Sequence, residues 1–219
     1  MNSPEEYLKR TESAVIKIFD GINSYLKILR DALPPVYVGN FGDTQNQRLV
    51  YKNWVASNRA AIQSSLEAQR EFSAESFALA TLCGSLLQIA AMGIQWFSEN
   101  KEIPEDVPED LRLLIKTGTK TAKFCIGRRI RSVPIGLAIY AARNQFNHMD
   151  DEELREPNIT IFNLLAYNHG VAVEQCFKDP AFDLENKVLI NFSSNITALL
   201  EWRNYESYHS DMHSLIVAG

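Results

Sequence analysis

The sequence predicts an all-α fold, and three observations carry that prediction. Apolar residues recur at intervals of three and four along most of the chain, a spacing that places them on one face of a helix. The run Ser76–Ser98 has no charged residue over a helix-length stretch. Prolines and capping residues fall between such runs, where helices stop and start. With 219 residues, 46% of them hydrophobic, the chain can bury a core without a disulfide framework. General disorder, collagen-like repeats and a disulfide-stapled miniprotein are excluded by composition.

Leu8, Thr11, Val15, Ile18, Ile22, Tyr25 and Leu29 form one stripe, so the first helix is long and amphipathic, its stripe serving as core or as a dimer seam. Pro34 and Pro35 stop it. Pro34–Asn46, with Gly39, Gly42 and Asp43, reads as an ordered loop. A second helix is expected from Gln47 to Glu71, with Ser73 capping the next. The charge-free run Ser76–Ser98 is long enough to span a bilayer. Thr81, Gly84, Ser85, Gln88, Gly93 and Gln95 weaken insertion, and its flanks are Glu75 and Glu99 instead of basic anchors. A central helix buried on all sides is favoured, with Ala80, Gly84 and Gly93 admitting close neighbours. No membrane partner is expected.

The segment Asn100–Asp110 is acidic. Pro108, Glu109 and Asp110 suit a helix first turn, which needs no amide donor and attracts anions; that helix is expected to reach about Gly127. Ser132 as cap and Pro134 in the first turn open another, ending about His148. Met149–Asn158 reads as a charged loop, with Asn158 capping a helix that ends near Gly170. Asp179–Ser194 is ambiguous; a short strand at Lys187–Phe192 is one reading. A last helix covers about Asn195–Tyr208. No internal repeat, low-complexity run or linker divides the sequence. The expectation is one domain over residues 1–219 with five to eight helices.

Cys83, Cys125 and Cys176 are odd in number, far apart and without CxxC spacing, which fits buried hydrophobes in a reducing compartment rather than a redox or metal site. The N-terminal MNSPEEYLKR has no signal-peptide apolar region, so a cytoplasmic location is expected and the sequons at Asn158, Asn191 and Asn195 read as chance. His209 and His213, with Asp211 between them, would suit a metal on a helix; surface histidines are favoured, and neither metal nor cofactor is expected. Trp54, Trp96 and Trp202 read as core or interface anchors.

The formal net charge of −5 conceals a pattern. From Leu111 to Met149 the charged residues are Arg112, Lys116, Lys120, Lys123, Arg128, Arg129, Arg131 and Arg143, giving +8 against −13 elsewhere. Spacings of four, four and three would align Arg112, Lys116, Lys120 and Lys123 on one helix face. Two readings stay open. One is a solvated face balanced by Glu99–Asp110 and Asp150–Glu156. The other is a phosphate-tracking surface of Arg112, Lys116, Lys120, Lys123, Arg128, Arg129 and Arg131 for RNA.

The apolar run Ile135–Ala142 leads into Arg143-Asn144-Gln145-Phe146-Asn147-His148. Arg, a polar residue, then His after four intervening positions resembles the Rx4–6H signature of the HEPN superfamily, helical domains of RNA-cleaving toxins and antiviral defence proteins. The resemblance covers about residues 75–170. It implies a HEPN-like bundle and a metal-independent endoribonuclease of prokaryotic defence or toxin systems, or alternatively a non-catalytic module binding RNA, a nucleotide or a partner protein. Its chemistry suits the residues: imidazole titrates near neutrality and serves as acid or base, and a guanidinium fork matches phosphate oxygens. His148 is then the acid/base, Arg143 the transition-state cation and Asn144 an orienting group. Arg143 and His148 lie about 140° apart on a helix; the family joins such motifs by dimerisation, so a homodimer with a composite site is implied. Asp150 stands where some family toxins carry a modifiable Tyr. The competing reading holds Arg143 against Asp150 or Asp151 as a structural pair.

Overall fold

The computed structural model describes residues 2–39, 44–148, 154–167, 178–186 and 191–217. Among these residues the chain forms nine α-helices, two 3₁₀ turns and one two-stranded hairpin. The all-α expectation holds, but two expected helices are each split, which takes the count above eight. The chain divides into two compact units, residues 1–20 with 80–219, and residues 21–79.

Helix α1 (Pro4–Asp31) begins where the Ser3 hydroxyl accepts the Glu6 amide, with Glu5 and Glu6 in its first turn. Its stripe buries Leu8, Val15, Phe19 and Ile22. In the smaller unit, α2 (Thr44–Ser57) and α3 (Arg59–Ala74) replace the single helix expected from Gln47 to Glu71. The break is Asn58, whose side-chain amide and backbone N–H both donate to the Trp54 carbonyl. Asparagine interrupts helices by such local competition. The rings of Tyr37, Tyr51 and Trp54 cluster there, with centroids 5.1–6.1 Å apart. Ser73 does not cap the next helix; it lies inside α3 and donates to the Gln69 carbonyl.

Helix α4 (Ser76–Phe97) matches the charge-free run. Leu86, Leu87, Ala90, Ala91 and Ile94 are fully buried, whereas Phe77 and Trp96 are about half exposed. It is therefore buried along one side rather than all round. Among the described residues it alone is long and apolar enough to cross a membrane, and 56% of its most apolar window is buried. The expected close approaches occur at two of its glycines. A Cβ at Gly84 would lie 2.3 Å from the Phe146 ring, and one at Gly93 2.8 Å from Tyr7.

The helix expected from Pro108 to Gly127 is not formed. Helix α5 covers only Glu109–Leu114, with Pro108 just before it and Ile115 extended after it. Three local features end it. Gly118 adopts φ +74°, a conformation suited to glycine. Its N–H donates to the Lys101 carbonyl, and the Thr119 hydroxyl bonds the Lys116 carbonyl. A 3₁₀ turn (Ala122–Phe124) then buries Ala122 and Phe124. The four-residue basic stripe therefore does not exist as a helix face.

A hairpin follows, β1 (Arg129–Ile130) with β2 (Val133–Pro134), antiparallel. Its turn residues Arg131 and Ser132 have φ +48° and +68°, the two-residue arrangement whose twist suits a hairpin. Ser132 is thus a turn residue and not a helix cap. Helix α6 (Ile135–Asn147) starts directly after Pro134. Gly136 is required there, because a Cβ would sit 2.4 Å from the Phe124 carbonyl oxygen. Residues Ile135–Ile139, Ala141 and Ala142 are buried, and α6 packs chiefly on α7 (Asn158–Tyr167) and α8 (Ser193–Leu199).

Asn158 does not cap α7 as expected. Glu156 does, accepting both the amide and the hydroxyl of Thr160. The expected end near Gly170 and most of the possible strand at Lys187–Phe192 lie outside the described residues. The last expected helix, Asn195–Tyr208, is two: α8, and α9 (Tyr205–Ile216), which opens on a reciprocal capping box between Asn204 and Ser207.

Candidate functional site

The site lies where α6 emerges from the core. Through Ala142 the helix is apolar and buried; from Arg143 its last turn is polar and partly exposed. Tyr140, Asn144 and His148 are spaced by four, so they share one face of this helix and its end. Together with Leu154, Arg155, Glu156 and Asn158 they line a cleft of about 420 Å³. His148 closes α6, its N–H donating to the Asn144 carbonyl, and its side chain is exposed.

The two other motif residues are tied into a network. Arg143 donates to the Asn144 side-chain oxygen at 2.9 Å and to the Gln95 side-chain oxygen of α4 at 3.2 Å. Asn144 donates in turn to Asn158 at 3.3 Å, linking α6 to the start of α7. One turn on, Asn147 donates to Gln88 of α4 at 3.0 Å. Arg143 is not among the cleft-lining residues, and its Nε is buried without a partner among the described residues. Asp150 and Asp151, the acids of the competing structural pairing, lie outside the described residues.

Sequence reasoning missed Gln95, Tyr140, Arg155, Glu156 and Asn158. The period of four from His148 back to Asn144 and Tyr140 was a usable signal for Tyr140. Nothing local announced that Arg155 and Glu156, just before α7, would line the same cleft.

The eight cations of the basic segment divide by what holds them. Arg128 forms a two-pronged pair with Asp211, at 3.1 and 3.0 Å, and also donates to the Leu200 carbonyl. Arg129 pairs with Asp106. Arg131 pairs with Asp179 at 2.7 Å, donates to the Leu165 carbonyl and covers the Phe182 ring. Lys123 donates to the Gln95 carbonyl at 2.9 Å. Arg112, Lys116 and Lys120 are exposed and have no ion-pair partner among the described residues. The fold thus brings Asn144 and His148 to one cleft, sets Arg143 behind it, and spends four of the seven expected RNA-contacting cations on internal contacts.

Asp211 also accepts the Trp202 indole N–H at 2.8 Å, so it is committed away from His209 and His213, whose rings lie 5.9 Å apart. Among the described residues no group of three His, Cys, Asp or Glu side chains is placed to hold a metal. Cys83 and Cys125 are buried, and burial pushes each thiol up to about 11; neither is a ready nucleophile. Cys176 lies outside the described residues. The sequon asparagines Asn158 and Asn191 are buried, and Asn195 donates to the Ala181 carbonyl. Compared with family models, curated proteins and solved structures, the chain matches none of them.

Proposed function

We propose that the chain is a HEPN-like, metal-independent endoribonuclease of a prokaryotic defence or toxin system, acting in the cytoplasm as a homodimer. One observation supports this most: an exposed imidazole, His148, lines a polar cleft at the end of a helix whose first two turns are anchored in the core. Catalytic groups gain from such rigid placement. In the reaction the ribose 2′-oxygen attacks the adjacent phosphorus, its proton passing to a base. The P–O5′ bond breaks, the leaving oxygen takes a proton from an acid, and a 2′,3′-cyclic phosphate results. One imidazole supplies either transfer; a second, from the partner protomer, would supply the other. Asn144, held between Arg143 and Asn158, orients the groups around it. Arg112, Lys116 and Lys120 carry the RNA backbone toward the cleft by charge.

Cleavage of single-stranded RNA in excess EDTA tests the proposal. Wild type cleaves, and His148→Ala loses about 10²-fold or more, the scale of a general acid–base group. Equal rates in both, or no cleavage by wild type, overturn it. The second reading, a non-catalytic RNA-binding module, is favoured by one observation: the Arg143 guanidinium is engaged with Gln95 and Asn144. It requires salt-dependent RNA binding that survives His148→Ala and weakens when Lys116 and Lys120 are reversed to Glu.

A further inference from the structure

We infer that Arg155, and not Arg143, is the cation that binds the phosphate in the His148 cleft; this rests on the ribonuclease reading and deepens it. Three observations carry the inference. Arg155 lines the same cleft as His148, whereas Arg143 does not. Arg143 already donates to two side-chain oxygens, one on α4 and one on its own helix, which fixes its fork on protein acceptors. Arg155 is exposed and has no ion-pair partner among the described residues.

The chemistry of the remaining lining agrees. Glu156, the acid beside Arg155, accepts two hydrogen bonds from Thr160 and serves as the cap of α7. Among the described residues, the fork of Arg155 thus keeps its donors for an outside anion. A guanidinium matches two non-bridging phosphate oxygens at once, and a cleft of about 420 Å³ has the size of a small-ligand site. Asn144, its amide bonded to Arg143 and Asn158, forms part of the same wall, and Tyr140 adds its phenol, whose oxygen is 3.3 Å from the Thr121 hydroxyl. The ligand class is a phosphodiester of single-stranded RNA, held by Arg155 with His148 beside the sugar. Arg143 is a positioning residue that fixes Asn144.

The test has two readouts on the full-length protein. The first is inorganic phosphate titrated while the His148 ring proton signals are followed by NMR. Phosphate shifts them in wild type and in Arg10→Ala, which removes an exposed arginine of α1. Arg155→Ala weakens the response at least tenfold, and Arg155→Lys restores part of it. A full response in Arg155→Ala, or none in wild type, overturns the assignment. The second readout is cleavage of a single-stranded RNA oligonucleotide in EDTA. Arg155→Ala lowers kcat by about 10²–10³, the loss seen when one transition-state donor is removed, with a smaller change in KM. Cleavage by Arg155→Ala at the wild-type rate overturns Arg155 while leaving the ribonuclease reading intact. A wild type that binds phosphate through Arg155 but cleaves no RNA overturns the ribonuclease reading and leaves the phosphate site standing.

Discussion

At the scale of single residues, an arginine's role is decided by what it touches. Arg128, Arg129 and Arg131 look like RNA-facing cations in a list of charges, yet each meets a carboxylate far along the chain, 83, 23 and 48 residues away. Asp211 joins Arg128 to the buried Trp202. Asp211→Ala leaves the indole N–H and the guanidinium without that acceptor, and is expected to cost about 1–3 kcal/mol. Urea unfolding should show that loss, while RNA affinity at fixed salt stays within about twofold. His148 was legible because a short motif names it. Its cleft partner Arg155 was not, because the approach of the start of α7 to the end of α6 leaves no periodic trace. The partners of the three arginines were hidden for the same reason: ion pairs between distant segments have no signature within one element.

At the scale of elements, long apolar stripes were legible and their ends were not. Helix α1 and helix α4 stand close to where their patterns place them. The helix expected over Pro108–Gly127 ended at Leu114, with Ile115 extended, just before a turn where Gly118 takes positive φ and the Thr119 hydroxyl bonds a backbone carbonyl. The basic stripe was drawn across that break. The two splits differ in origin: at Asn58 a side-chain amide competes for the Trp54 carbonyl, whereas α8 ends before Glu201, at φ +58°, and Asn204 then caps α9. The small residues of α4 were read correctly as contact points. Gly84 meets Phe146 on α6, and the same approach brings Gln95 to Arg143 and Gln88 to Asn147. Gly84→Ala therefore forces the ring or the helices apart. It is expected to lower stability by about 1–3 kcal/mol, measured by thermal unfolding, and to reduce RNA cleavage by displacing the end of α6.

At the scale of the whole molecule, two properties follow from the composition of the core and from the sum of its charges. Buried acids that must stay neutral make the fold sensitive to base. Burial pushes Cys83 and Cys125 up to about 11 and Tyr7 up to about 12, and it holds Tyr208 well above the ordinary phenol range. A raised value in the folded state means the stabilisation is complete below the unfolded value and is lost as pH climbs through the folded one. The urea midpoint is expected to hold steady to about pH 9 and to fall between about 9 and 12. Cys83→Ala should flatten the first part of that fall. The net charge of −5 conceals a +8 segment, three of whose arginines are paired with Asp106, Asp179 and Asp211 from elsewhere in the chain. Arg112, Lys116 and Lys120 stay exposed with no ion-pair partner among the described residues, and on the proposed reading they are the cations that guide RNA to the cleft of His148 and Arg155.

On the proposed ribonuclease reading, this cleft cleaves RNA through its own side chains. The most direct measurement is single-turnover cleavage, in excess EDTA, of a short RNA and of the same strand with a 2′-deoxy residue at the cleaved position. The expected result is a 2′,3′-cyclic phosphate product from the RNA, no product from the deoxy strand, and loss of about 10²-fold or more in His148→Ala. Cleavage of the deoxy strand, equal rates in His148→Ala, or an inert wild type would contradict it.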